Sequence, residues 1–151
     1  MSEGVDRLLD WCDEADLTWR ALDGTVYVRL EPEDRLEVRL EQPADDAPLR
    51  LHDVVDLQVE GLPADCLAAV VEDVVLGRSS LVDARPTAAG TGAEVVVVIH
   101  AEGLNQHTFL EAVFELQKVR LLLHREVRAA IAAEQTVASL AALVEGVPTS
   151  A

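Results

Sequence analysis

The chain has 151 residues, of which half are hydrophobic, and its 28 acidic residues outnumber its 12 basic residues, giving a net charge of −16. A chain of this length forms one domain with its own core, and a chain this acidic lacks the basic surface that binds nucleic acid or an anionic membrane. The two cysteines, Cys12 and Cys66, are too few for a disulfide scaffold and suit a reducing compartment.

The first predicted elements are a helix and a β-hairpin. Four apolar residues follow helical spacing in a segment that should end near Asp16: Val5, Leu8, Leu9 and Cys12. Asp23-Gly24 favours a two-residue type I′ turn, which pairs residues whose numbers sum to 47. That register places six apolar side chains on one face, in the pairs Leu17–Leu30, Trp19–Val28 and Ala21–Val26.

Two further strands are predicted before the second helix. Leu36, Val38 and Leu40 alternate with charged residues, which is typical of a half-buried strand. After a loop at 43–48, apolar residues hold odd positions over 49–59, and the pattern breaks at Asp53. We expect a fourth strand there, with a bulge at this aspartate.

The middle of the chain predicts a helix and two more strands. Pro63 marks the start of the helix and Gly77 its end. Its buried stripe comprises Leu67, Val70, Val71, Val74 and Val75. Strands are expected at 81–85 and 94–101, and the uninterrupted apolar run Val95–Ile99 favours a central strand covered on both faces.

The last helix is predicted from about Asn105 to about Ala133, and either Asn105 or a Thr108–Glu111 capping box begins it. Its apolar residues spread around the circumference, so the sheet should cover one side and something else a second side. A second copy of the chain, a bound partner, or the segment 134–145 folding back could do so. We expect a homodimer whose interface is formed by Leu116, Val119, Leu123 and Val127.

These elements give the order α-ββββ-α-ββ-α, which indicates an α+β fold with a mostly antiparallel sheet. Residues 1–133 should form the domain, and 134–151 a short amphipathic tail. The element order resembles that of YbjN-type proteins, which share the fold of type III secretion chaperones. The resemblance is carried by Thr18-Trp19, Asp23-Gly24, Val28 and the stretch 95–103 before the long helix. It implies a small, acidic, dimeric protein without enzymatic activity, although the extra strand at 49–59 and the tail depart from the simplest chaperone pattern.

No arrangement in the sequence indicates catalytic, cofactor-binding or metal-binding residues. His107 and Glu111 lie four residues apart, which is typical of an exposed helical pair. The loop Gly90-Thr91-Gly92 precedes a strand rather than a helix, so it does not predict a phosphate site. The acidic beginning of the chain and the short apolar runs predict neither a signal peptide nor a membrane span.

We therefore expect a cytoplasmic, non-enzymatic protein that binds an unidentified protein client, with a chaperone-like or regulatory role. The alternative is a small-molecule-binding or enzymatic domain whose pocket lies between the long helix and the sheet. A deep, enclosed cavity with converging polar groups would favour that alternative. An open apolar groove would favour polypeptide binding.

Overall fold

The computed structural model describes residues 3–22, 25–29, 37–78 and 81–146. The elements follow the predicted order, α-ββββ-α-ββ-α. Their bounds are α1 Glu3–Glu14, β1 Thr18–Leu22, β2 Thr25–Arg29, β3 Glu37–Glu41, β4 Leu49–Asp56, α2 Ala64–Leu76, β5 Val82–Pro86, β6 Gly92–Ile99 and α3 Gln106–Gly146.

The six strands form one antiparallel sheet in the order β1-β2-β3-β4-β6-β5. Trp19 lies opposite Val28 and Ala21 opposite Val26, so the register predicted from the two-residue turn is confirmed. The turn residues Asp23 and Gly24, together with Leu30 and Leu36, lie outside the described residues.

The fourth strand is regular, and the predicted bulge at Asp53 is wrong. β4 pairs with β6 without interruption from Leu49, opposite Ile99, to Asp56, opposite Gly92. Asp53 is therefore an in-register residue of the buried face, where it is only 2 % exposed. The polar residue interrupts the hydrophobic pattern without changing the backbone.

The core lies on one face of the sheet, beneath the three helices. Alternate residues of β4 and β6 point into it, among them Leu51 and Val97. α3 packs on β6 and β4, α2 packs on β5 and α3, and Trp11 of α1 contacts Phe109 of α3 with 5.8 Å between ring centroids. β6 lies between β4 and β5, so the prediction that it is an interior strand is confirmed. Its Val96 and Val98 are only half-buried on the opposite face, so the prediction that both faces are covered is wrong.

The third helix begins where the sequence indicates and ends well beyond the predicted position. Asn105 caps it directly, because its Oδ1 accepts a hydrogen bond of 2.9 Å from the backbone N–H of Thr108. The helix then continues for 41 residues to Gly146, about 60 Å at 1.5 Å per residue. Residues 134–146 thus continue α3 without a break, and they do not fold back over it.

Candidate interaction surfaces on the long helix

The four residues predicted for the dimer interface lie in the core of the protomer. Leu116, Val119, Leu123 and Val127 are at most 2 % exposed. They share one side of α3, and that side packs on the sheet and α2. Their assignment to a surface between two chains is therefore corrected, since a second copy could not reach them without opening the core.

A buried ion pair holds the middle of α3 on the sheet. Arg120 Nη1 lies 3.3 Å from Asp53 Oδ1 and donates a hydrogen bond to it. Burial raises the pKa of Asp53 to about 6, although the charge and hydrogen bond of Arg120 act in the opposite direction. The pKa of the neighbouring His124 is lowered by burial and then by the positive charges of Arg120 and Arg128. The sequence pattern detected Asp53 only as a break in a strand, because its partner lies 67 residues away.

Beyond the sheet, the buried side of α3 continues without cover. Steps of three and four residues lead from Val127 through Ala130 and Glu134 to Val137, Ala141 and Val144. Glu134 still contacts α2, because its Oε1 lies 3.9 Å from Cys66 Sγ near the start of that helix. We call Val137, Leu140, Ala141 and Val144 the terminal stripe. Its three larger residues are between 57 % and 74 % exposed.

The opposite side of α3 carries a second exposed row. We call it the outer seam; it comprises Phe114, Lys118, Leu121, Arg125, Arg128 and Ala132, all of which are exposed. Phe114 is 51 % and Leu121 is 61 % exposed, unusually high values for side chains of this size. The apolar residues of α3 at Phe114 and Leu121 therefore face solvent, whereas those of the predicted interface face the core.

An apolar groove of about 820 Å³ lies between α3 and the edge of the sheet. It is half-open, and its apolar lining comprises Leu81, Val82, Val97, Ile99, Ala112 and Phe114. Two of its carboxylates are held by neighbours: Glu111 lies 3.0 Å from His107, and Glu115 lies 3.5 Å from Arg78. Its lining also includes the polar residues His100, Thr108, Gln117 and Lys118, but the groove is half-open and not a deep, enclosed cavity.

The two cysteines and His52 lie on three different elements, α1, α2 and β4. Cys12 is buried, and burial raises its pKa to about 12, which makes it an inert thiol. The pKa of Cys66 is raised by desolvation and by the carboxylates of Asp65 and Glu134. His52 Nε2 lies 3.3 Å from Glu41 on the open face of the sheet, and burial lowers the pKa of this histidine. Among the residues that the structure describes, no group of three or more His, Cys, Asp or Glu could hold a metal ion.

The segment Gln106–Glu145 of α3 is also long and apolar enough to cross a membrane, by length and composition alone. Its most apolar window has a mean hydropathy of 1.4. Much of the apolarity of the C-terminal half comes from alanines, and the segment carries nine charged residues, among them Arg128 and Glu134. A single helix of this kind is weak evidence for a membrane span, and only 6 % of its most apolar window is buried in the protein.

Comparison with known proteins places the fold and leaves the activity open. No family model matches the sequence, and no curated protein matches it. Several solved structures are similar in fold, among them the following three. YbjN from E. coli has a TM-score of 0.60 at 14 % identity, with 83 % of this chain and 92 % of that chain covered. An uncharacterized protein from Methanothermobacter thermautotrophicus has a TM-score of 0.64 at 15 % identity, covering 83 % and 97 %.

The third structure is a HopA1–SchA chaperone–effector complex, with a TM-score of 0.52 at 16 % identity, covering 84 % of this chain and 91 % of that chain. At these identities the likeness establishes the fold alone. The chain has a YbjN-type fold similar to that of type III secretion chaperones, as its element order predicted.

Proposed function

We propose that this protein is a non-enzymatic, cytoplasmic, polypeptide-binding protein that acts as a homodimer, with a chaperone-like or regulatory role. One similar structure is a chaperone–effector complex, and another, YbjN, is a proposed transcription regulator. Both are consistent with a protein that works by binding another macromolecule.

The observation that carries the proposal is the terminal stripe. Three turns of α3 follow Glu134, and their apolar side chains continue the stripe that is buried as far as Val127. The segment can remain helical because it is rich in alanine and because it continues an existing helix, so no new helical turn has to be nucleated. Burying Val137, Leu140 and Val144 would contribute on the order of 1 kcal/mol for each side chain. The same stripe on a second copy is a matching surface, because two-fold symmetry brings identical patches together.

Sedimentation equilibrium of the full chain tests this assignment. We expect the wild type to be dimeric at micromolar concentrations and the double variant Val137→Asp/Val144→Asp to be monomeric, because two buried charges on each side oppose association. Ser139→Asp, which places a charge on the opposite side of the same segment, is the control and should remain dimeric. A monomeric wild type, or a double variant that is as dimeric as the control, would overturn the assignment.

The groove between α3 and the sheet is the observation that favours the alternative function. Its volume of about 820 Å³ lies within the range of small-molecule pockets, roughly 300–1,000 Å³. It is nevertheless half-open and mainly apolar, and its two glutamates, Glu111 and Glu115, pair with side chains of their own chain. These features fit the apolar side chains of a bound polypeptide better than a reacting substrate.

A further inference from the structure

We propose that the outer seam of α3 is the docking surface for an acidic amphipathic helix of a client protein. The inference rests on the polypeptide-binding function proposed above and adds the chemistry of the client. It depends on three properties of the seam: the spacing of its residues, their charge, and the lack of unpaired backbone groups on the face of a helix.

The spacing is that of a coiled-coil seam. Its residues are separated alternately by four and three positions, from Phe114 through Lys118 and Leu121 to Ala132. Such a heptad row keeps the same direction along a helix and accepts a second helix packed alongside it. Over these 19 positions the seam extends about 27 Å, which matches a partner helix of five turns. Phe114 and Leu121 supply the exposed apolar contacts.

The charge of the seam is opposite to that of the protein. Its three charged residues are Lys118, Arg125 and Arg128, whereas acidic residues outnumber basic ones by 28 to 12 in the whole chain. The acidic residues of α3 lie off the seam: Glu111, Glu115, Glu126, Glu134 and Glu145. Arg125 has a partner in Glu126, at 3.3 Å. The positive charge of Arg128 also lowers the pKa of His124, although burial and the charge of Arg120 contribute more.

These charges argue against a second copy of the chain as the occupant. Pairing the seam with itself would bring six cations together along one contact, and like charges across a coiled-coil seam oppose association. A partner helix with glutamates at the matching positions would instead neutralise them. The net charge of −16 would repel acidic surfaces elsewhere on the protein, so the seam would also determine where an acidic helix can approach.

The partner should be helical because α3 uses its own backbone groups within the helix. An extended segment needs unpaired backbone donors and acceptors, which a strand edge offers and a helix face does not. A helical partner satisfies its own backbone and contributes only side chains. Nucleic acid and anionic lipid also bind cations, but both are extended anionic surfaces that would meet the acidic residues around the seam, whereas a single helix contacts the seam alone.

The test measures fluorescence anisotropy of labelled peptides with the full-length protein. The first probe is a 21-residue helical peptide with leucine and glutamate at alternating seam positions, and the second has lysine in place of glutamate. We expect the glutamate peptide to bind at least tenfold more tightly than the lysine peptide. Its affinity should fall about tenfold between 50 mM and 500 mM salt, because partly exposed charges are screened.

The decisive variant is Lys118→Glu/Arg128→Glu. Because both side chains are exposed, the fold should be retained, and the preference should reverse in favour of the lysine peptide. The matched control is Arg50→Glu/Arg85→Glu, which changes the net charge equally on the open face of the sheet and should keep the preference for glutamate.

Equal binding of the two peptides would overturn this inference and leave the proposed polypeptide-binding function standing. Absence of binding by both, or a preference that the control variant loses equally, would also overturn it. Vesicles of equal parts phosphatidylserine and phosphatidylcholine provide the remaining arm. Binding of the wild type to them that disappears in Lys118→Glu/Arg128→Glu would reassign the seam to a lipid surface. The oligomeric state is measured separately through the terminal stripe, so failure of one proposal does not imply failure of the other.

Discussion

The substitution Asp53→Asn should stabilise the protein at neutral pH and have no such effect in acid. In the folded protein the pKa of Asp53 is raised from 3.8 to about 6, because burial disfavours its charged form more than Arg120 favours it. A raised pKa means that the folded state binds the proton more tightly than the unfolded state does. The stability associated with that proton is fully present below pH 3.8 and is lost as the pH rises through about 6.

The magnitude follows from the size of the shift. A change from 3.8 to about 6 corresponds to about 3 kcal/mol above pH 6, at about 1.4 kcal/mol for each pKa unit. Asparagine has a similar shape and no charge to desolvate, and the shift of the Asp53 pKa already includes the favourable contact of the carboxylate with Arg120. We therefore expect Asp53→Asn to raise the free energy of unfolding by about 3 kcal/mol at pH 7.5. That advantage should disappear by pH 4, where the carboxyl of the folded wild type is protonated.

Urea unfolding followed by circular dichroism at pH 7.5, 6, 5 and 4 measures this difference at one protein concentration. Asp83→Asn is the control, since Asp83 is exposed on the edge strand and its replacement should change stability little at any of these pH values. If Asp53→Asn were less stable than the wild type at pH 7.5, by an amount that grew with pH, the ion pair with Arg120 would outweigh desolvation. That result would refute a raised pKa of Asp53 in the folded protein.

Two further substitutions test the packing of the domain. Leu123→Ala should lower the free energy of unfolding by roughly 2–5 kcal/mol, because Leu123 is fully buried. Leu121→Ala on the outer seam is the control and should change the free energy of unfolding by less than about 0.5 kcal/mol. Equal effects of the two substitutions in urea unfolding would contradict the assigned faces of α3. Gly92→Ala should lower the melting temperature, because a Cβ there would lie 2.0 Å from the carbonyl oxygen of Val55. Gly103→Ala meets no atom within 4 Å and should melt like the wild type; a Gly92→Ala variant that does the same would show that β4 and β6 can separate locally.

Patterns between neighbours in the chain predicted the architecture. The two-residue turn determined the pairing of Trp19 with Val28, because hairpin register depends on turn length alone. The alternation through Val38 and Leu40 likewise located β3 in the sheet. Helix starts were also local, as the hydrogen bond between Asn105 and Thr108 shows. The interruption at Asp53 was misread as a bulge because an arginine 67 residues later makes an in-register aspartate tolerable.

The sequence does not show which side of α3 faces the core and which side faces solvent, so it could not locate the candidate surfaces. The sequence by itself determined that α3 has more apolar surface than one sheet face covers, because that is a property of its composition and spacing. Only the tertiary structure decided that Leu116 and Leu123 face the core while Phe114 and Leu121 face solvent. The cations at Lys118, Arg125 and Arg128 were the local signal for the solvent side, since a charged row is costly to bury. A helix can continue past the surface on which it packs. The positions of α2 and the sheet therefore determine how much of the stripe on α3 remains uncovered.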